Sequence, residues 1–330
     1  MGFNFTKKDL FKFSLILLIL ILILESIFII FLLKENNQLK QNLNEHTYNF
    51  SLLSPSVAWM KTEEFLDLQK KSSINYWGLK SKFLAEISKD IPYDNVGIYF
   101  EDLFTGSWIG INEKDEFYPK SLFKVPVMVT ILKKVENGEI FLNQNITLKE
   151  EDLDNLSGNL YKKGVGYKIS VKDLLNLMIK ESDNTALITL VNNFLDSEDY
   201  IMTINMVGLI NPSLNQSISP KAYMNIFRSL YYSTYLKRSF SELALSILSD
   251  TNFNSQLTRY IPPSVKVSHK WGEDINLGVY HDCGIFYIEN KNYMLCVMTK
   301  NVSKEQADNF ISKISKITYE YITSTDNPEN

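Results

Sequence analysis

The chain has 330 residues, 45% of them hydrophobic and 22% charged, enough to bury a sizeable core in one large domain or two ordinary ones. Its 34 basic and 38 acidic side chains leave a net charge of −4, which excludes the basic footprint that nucleic-acid binding requires. The three histidines, His46, His269 and His281, show no HExxH or His-x-His spacing, so neither a metal site nor any other cofactor is expected.

Residues 1–12 carry Lys7, Lys8 and Lys12 and precede an apolar run from Phe13 to Leu33 that is broken only by Ser14, Glu25 and Ser26. Such a run is long enough to span a bilayer as a helix, and the lysines ahead of it keep the N-terminus in the cytoplasm. A cleaved signal peptide is the rival reading, but no small-x-small cleavage site follows the apolar stretch. The expectation is a single-pass anchor at 13–33 with the rest of the chain outside the cytoplasm. Residues 34–75 read as a polar stalk and linker, with Leu32, Leu39 and Leu43 at roughly helical spacing.

A folded domain is expected over 76–322. Its first helix runs from about Tyr76 to Lys89, with Leu79, Phe83, Leu84 and Ile87 on one face. Val96–Phe100 and Ser107–Ile111 read as a first pair of strands. Helical patterns then follow at Val125–Leu132, at Leu174, Leu175, Met178 and Ile179, at Leu187–Phe194 and at Tyr223–Leu230. Val265–Trp271, Gly284–Ile288 and Tyr293–Thr299 read as three more strands, the last two joined by a turn at Glu289–Asn292. An amphipathic helix, about Lys304 to Ile322, closes the domain, and 323–330 form an acidic, disordered tail. Strands at both ends around a helical insertion predict an α+β fold, a five-stranded, mainly antiparallel sheet flanked by helices with a helical subdomain. Cys283 and Cys296 read as free buried thiols, although neighbouring hairpin strands would let them bridge.

Three polar motifs interrupt these elements in order. Ser121-Leu122-Phe123-Lys124 opens the Val125–Leu132 helix, where residues three apart share a face and the Lys124 amine can reach the Ser121 hydroxyl. Ser182-Asp183-Asn184 separates two helical runs, and Lys270-Trp271-Gly272 ends a strand. Alone, the first motif reads equally as an ordinary helix cap. Together the three resemble the S-x-x-K, S-D-N and K-T-G elements of class A β-lactamases and related penicillin-binding serine hydrolases over roughly Leu79 to Ile322.

That resemblance implies roles. Ser121 would attack a carbonyl to form an acyl-enzyme, Lys124 would take its proton, and Ser182 would relay a proton to the leaving nitrogen. Asn184 and Lys270 would bind the substrate's amide and carboxylate. The backbone N–H groups of Ser121 and Glu273 would form the oxyanion hole, and Gly272 would let substrate approach the strand edge. Asp183 is expected to fix its loop. The substrates implied are β-lactams or D-Ala-D-Ala-type stem peptides of peptidoglycan. The alternative is a catalytically weak module that binds such peptides or a partner.

Two departures qualify the resemblance. No Glu or Asp lies between Val207 and Phe240, where the family's omega loop carries the glutamate that activates the deacylating water. Glu198 and Asp199 read as helix-capping residues instead. Trp271 replaces the small hydroxyl residue of K-T-G, and strand alternation places it opposite Lys270, towards the core.

Overall fold

Alternation of apolar side chains along strands that are covered on both faces sets the architecture, described in this computed structural model for residues 50–54, 75–209 and 217–324. The span expected at 13–33, most of the stalk, Ile210–Gln216 and most of the tail lie outside the described residues. Among the described residues no helix is long and apolar enough to cross a membrane.

Among the described residues seven strands form, β1 (Val96–Asp102), β2 (Trp108–Ile111), β3 (Asn145–Thr147), β4 (Lys168–Ser170), β5 (Lys266–Asp274), β6 (Val279–Tyr287) and β7 (Tyr293–Thr299). Five of them make one sheet in the order β2-β1-β7-β6-β5, every neighbouring pair antiparallel. The sequence does not announce the small β3–β4 hairpin, whose strands have three residues each. The expected α+β fold is present, and the sheet is antiparallel throughout.

The helices are α1 (Trp77–Asp90), α2 (Lys124–Glu136), α3 (Val171–Lys180), α4 (Asn184–Phe194), α5 (Ser197–Met206), α6 (Pro220–Tyr231), α7 (Arg238–Ser249) and α8 (Lys304–Thr323). Helices α1 and α8 cover one face of the sheet, where Ile98, Phe100, Phe286, Leu295 and Val297 meet Leu79, Phe83, Phe310 and Ile314. The helical subdomain covers the other, where Tyr99, Cys283, Ile285, Met294, Cys296 and Met298 join Val125, Leu174, Phe227 and Leu245. Each buried side chain of this size contributes about 1.5–3 kcal/mol of apolar transfer energy, so the sheet is the common wall of two cores. Helix α7, which the sequence reading leaves undescribed, packs on β5 and accepts the Ser268 hydroxyl proton at its Leu245 carbonyl, 2.7 Å away.

The strands β5 and β6 are longer than their apolar patterns suggest. Polar residues continue each of them because their side chains find buried partners, as His269 Nδ1 does with Asp282 Oδ1 at 2.8 Å. Consequently β6 starts at Val279 rather than Gly284, and Cys283 lies inside the ladder directly opposite Cys296 of β7. The two are joined by a disulfide, which corrects the expectation of free thiols. Side chains paired directly across a ladder lie on the same face, the arrangement a bridge requires.

A thiol assay on protein prepared without reductant is expected to find no free cysteine, native or denatured, and two after reduction. Replacing both cysteines by alanine is expected to lower unfolding free energy by about 2–3 kcal/mol in a urea titration, the usual scale for a short closed loop.

Candidate active site

The three motifs meet where β5, the edge strand next to β6, packs on the turn ahead of α2 and lies beside the break between α3 and α4. Ser121 lies on a 3-10 turn, Lys120–Phe123, rather than in the first turn of the α-helix, which starts at Lys124. Three contacts fix this turn. His281, fully buried on β6, donates from Nε2 to the Tyr118 carbonyl at 2.8 Å and accepts the Thr299 N–H at Nδ1 at 3.2 Å. The buried Tyr223 hydroxyl donates to the Leu122 carbonyl at 3.0 Å. Gly272 provides the third, because a Cβ there would stand 2.9 Å from the Pro119 carbonyl oxygen and 3.1 Å from the Ser121 nitrogen. The missing side chain of Gly272 thus admits the turn that carries Ser121 against β5, a close approach within the protein itself.

Lys124 and Lys270 are both almost completely buried. The Lys124 amine bonds the Ser182 carbonyl at 2.5 Å, the Ser182 hydroxyl at 3.1 Å and Asn184 Oδ1 at 2.8 Å. No hydrogen bond joins it to Ser121, which differs from the contact expected from their spacing. The Lys270 amine also bonds the Ser182 hydroxyl, at 3.1 Å, and reaches back to its neighbour's carbonyl, Trp271 O, at 3.0 Å. One hydroxyl therefore sits between two amines.

Burial pushes the Lys124 pKa down to about 7, against the opposing pull of Asp183 and Asp154. Burial first, and then the charge of Lys124, hold Lys270 well below the ordinary lysine range. A neutral Lys124 keeps two N–H groups for the two carbonyl oxygens and turns its lone pair to the Ser182 hydroxyl, which can accept a hydrogen bond from Lys270. This is a proton path made of side chains already in contact.

Ser182 reaches this position through a left-handed backbone, φ +55°, whose cost of about 1–3 kcal/mol the surrounding bonds offset. Asp183 supplies most of them. Its Oδ1 accepts the Ala186 N–H at 2.9 Å as the cap of α4, and its Oδ2 accepts the Asn159 and Leu160 N–H groups at 2.7 and 2.8 Å. Asp183 fixes the loop, as the sequence suggests. Asp154 is the residue that sequence reasoning missed. It accepts Asn184 Nδ2 at 3.0 Å while Thr185 bonds its backbone, and this orients the Asn184 amide with its oxygen towards Lys124. Nothing in the local sequence distinguishes Asp154 from the other acids of Glu150–Asp154.

Among the described residues strand β5 has no partner on its outer side, and backbone groups of alternate residues along it point outwards. The Trp271 carbonyl taken by Lys270 marks that side, so the Glu273 N–H two residues on is turned the same way. The Glu273 side chain pairs with Lys304 at 3.1 Å. Alternation starts the Trp271 side chain on the opposite face from Lys270, but its ring joins neither core and meets the Lys270 amine, 3.6 Å from the ring centroid, which corrects the expectation that it faces the core. An edge strand leaves room for a large side chain to reach round. The helix start expected here is present, but its cap is Asp196, which accepts the Asp199 N–H at 2.8 Å; Glu198 and Asp199 lie in the first turn rather than at the cap, and Asp196 and Asp199 pair with Lys134.

The sequence profile of the β-lactamase enzyme family matches residues 79–322. The chain belongs to the β-lactamase enzyme family. It is a serine hydrolase of the β-lactamase-like type. Among curated relatives of this family member, β-lactamase VEB-1 of Pseudomonas aeruginosa is 23% identical over 74% of the chain and 95% of its own length. The extended-spectrum β-lactamase PER-1 of the same organism is 22% identical over 64% and 77%. Its fold is similar to the crystal structure of TLA-3 extended-spectrum β-lactamase, with a TM-score of 0.70 at 19% identity over 76% of this chain and all of that one. It is similar as well to PBP-A, with a TM-score of 0.66 at 21% identity over 74% and 95%.

Because burial lowers the His281 pKa from 6.5 to about 4, the folded chain resists a proton that the unfolded chain accepts. Stability is expected to be unaffected above pH 6.5 and to fall by up to roughly 3 kcal/mol as the pH drops from 6.5 to 4. Urea titrations across that window check this, and His281→Gln, which keeps a donor for Tyr118, is expected to flatten the His281 component.

Proposed function

We propose that this family member forms an acyl-enzyme at Ser121 with β-lactams or D-Ala-D-Ala-type peptides. The observation that carries the reading is the Ser182 hydroxyl bonded at 3.1 Å to both buried amines, Lys124 and Lys270, next to the turn that presents Ser121. The Ser121 hydroxyl attacks the carbonyl, and Lys124, turning its lone pair from Ser182, takes the proton. The new C–O bond gives a tetrahedral oxyanion, whose collapse restores the carbonyl and breaks the C–N bond. Ser182 delivers its own proton to the leaving nitrogen and is reprotonated from Lys124. The Ser121 and Glu273 N–H groups hold the oxyanion, each donor contributing roughly 3 kcal/mol to the transition state.

Deacylation has no equivalent part, since Val207–Phe240 lacks an acid to activate water. Slow β-lactam turnover, or a D,D-carboxypeptidase-like activity that deacylates through Lys124 and Ser182, follows from that absence. The apolar run Phe13–Leu33 supports a single-pass membrane anchor that holds this domain outside the cytoplasm.

A fluorescent penicillin is expected to label the protein covalently, and Ser121→Ala to abolish the label. Unlabelled, well-folded wild type would refute acylation. The labelling rate is expected to rise with pH through an apparent pKa near 7, because only neutral Lys124 accepts the proton. Lys124→Met is expected to slow labelling by about 10²–10⁴-fold, the scale of a lost general base. With nitrocefin, steady turnover after one equivalent is expected to be slow, and a fast multiple-turnover rate would refute the missing-base argument.

A further inference from the structure

The Lys270 amine has all of its hydrogen-bonding directions in use. One meets the Ser182 hydroxyl at 3.1 Å, one the Trp271 carbonyl at 3.0 Å, and the Trp271 ring covers the remaining side at 3.6 Å. That ring is held in place by Phe253, which stacks on it at 4.4 Å with an interplanar angle of 3°. An aromatic face attracts an ammonium through its quadrupole, so the ring stands where a carboxylate would otherwise meet the cation. The amine has no exposed surface.

The neighbouring cations are committed as well. Lys120, beside Ser121, pairs with Asp274 at 2.8 Å, and Lys304, beyond the aromatic stack, pairs with Glu273 at 3.1 Å and Asp308 at 3.3 Å.

We propose that Trp271 is a specificity-determining residue that weakens this site's selectivity for the carboxylate beside the scissile bond of a β-lactam or D-Ala-D-Ala-type donor, so that donors lacking that charge are acylated comparatively better. An anionic donor must displace the ring from Lys270 before it can pair with the ammonium, and an uncharged donor need not. Phe253 is the positioning residue that holds the ring. The inference rests on acylation at Ser121 and adds to it how strongly the site selects for substrate charge.

The test compares two probes that differ only in charge, benzylpenicillin and its methyl ester, by following covalent modification of Ser121 with mass spectrometry in the full chain. The ratio of the acid's acylation rate to the ester's is expected to rise at least tenfold in Trp271→Thr. It is expected to rise in the same direction, by a smaller factor, in Phe253→Leu, which frees the ring without altering β5. The half-buried position of Phe253 makes this second variant the safeguard should Trp271→Thr fold poorly. A ratio unchanged in the variants, with labelling retained, overturns this inference and leaves acylation standing. No labelling by either compound in any folded form, wild type included, overturns acylation and this inference together.

Discussion

Two buried lysine amines cannot both keep full charge when they share one hydroxyl. Lys124 and Lys270 both reach the Ser182 hydroxyl at 3.1 Å and are almost wholly buried. In such surroundings their repulsion is not screened as it would be in water, and removing a proton from one of them relieves it. Burial and then repulsion lower the Lys270 pKa against the opposing pull of Asp282 and Glu273, and Asp183 and Asp154 oppose the burial of Lys124. The outcome is an amine that can be neutral near pH 7 without being starved of hydrogen-bond partners. A lone buried lysine would lose its proton far more completely and would be too weak a base to be useful. The acids behind Lys124 set the balance.

Such a site tolerates little displacement, and the fold supplies restraint from three directions. The sheet presses Gly272 against the Ser121 turn, His281 and Tyr223 hold the carbonyls on either side of Ser121, and Asp183 ties the Ser182 loop to both α4 and the turn at Leu160. Each restraint is a hydrogen bond or a packing contact inside a core, where water cannot compete for it. The catalytic geometry and the stability of the fold therefore depend on the same bonds. Weakening one of these residues is expected to show in both.

Most of the helices, though not α7, and the order of the three polar motifs were legible in the sequence because both are local. Apolar spacing marks the core faces of α1, α2, α4 and α8, and Ser121, Lys124, Ser182, Asn184 and Lys270 stand at breaks in that spacing. What escaped depends on distant partners. The full lengths of β5 and β6 rest on His269 and Asp282 meeting across the ladder, and that extension places Cys283 opposite Cys296. Asp154 matters through Asn184, 30 residues away. Gly272 shows the same limit. Its need for space is visible in the sequence, but whether the space admits a substrate or the protein's own backbone is a question of packing, and here the backbone fills it.

Trp271 illustrates how an edge strand loosens the rule of alternating faces. In a central strand, a neighbour on each side confines a side chain to the face its Cβ selects. On β5 the outer side is open, so the indole reaches the amine of the preceding residue while still stacking on Phe253 behind the strand. A small hydroxyl side chain at the same position could not make that bridge. The substitution therefore does more than delete a hydroxyl. It gives the cation an internal partner, and the energy an incoming anion gains from Lys270 is reduced by whatever that partner already provides. Acylation and substrate charge are in this way separated within one strand. In the proposed acylation Lys270 serves the proton path through Ser182 whatever the substrate, while the residue next to it is proposed to govern which substrates share in its charge.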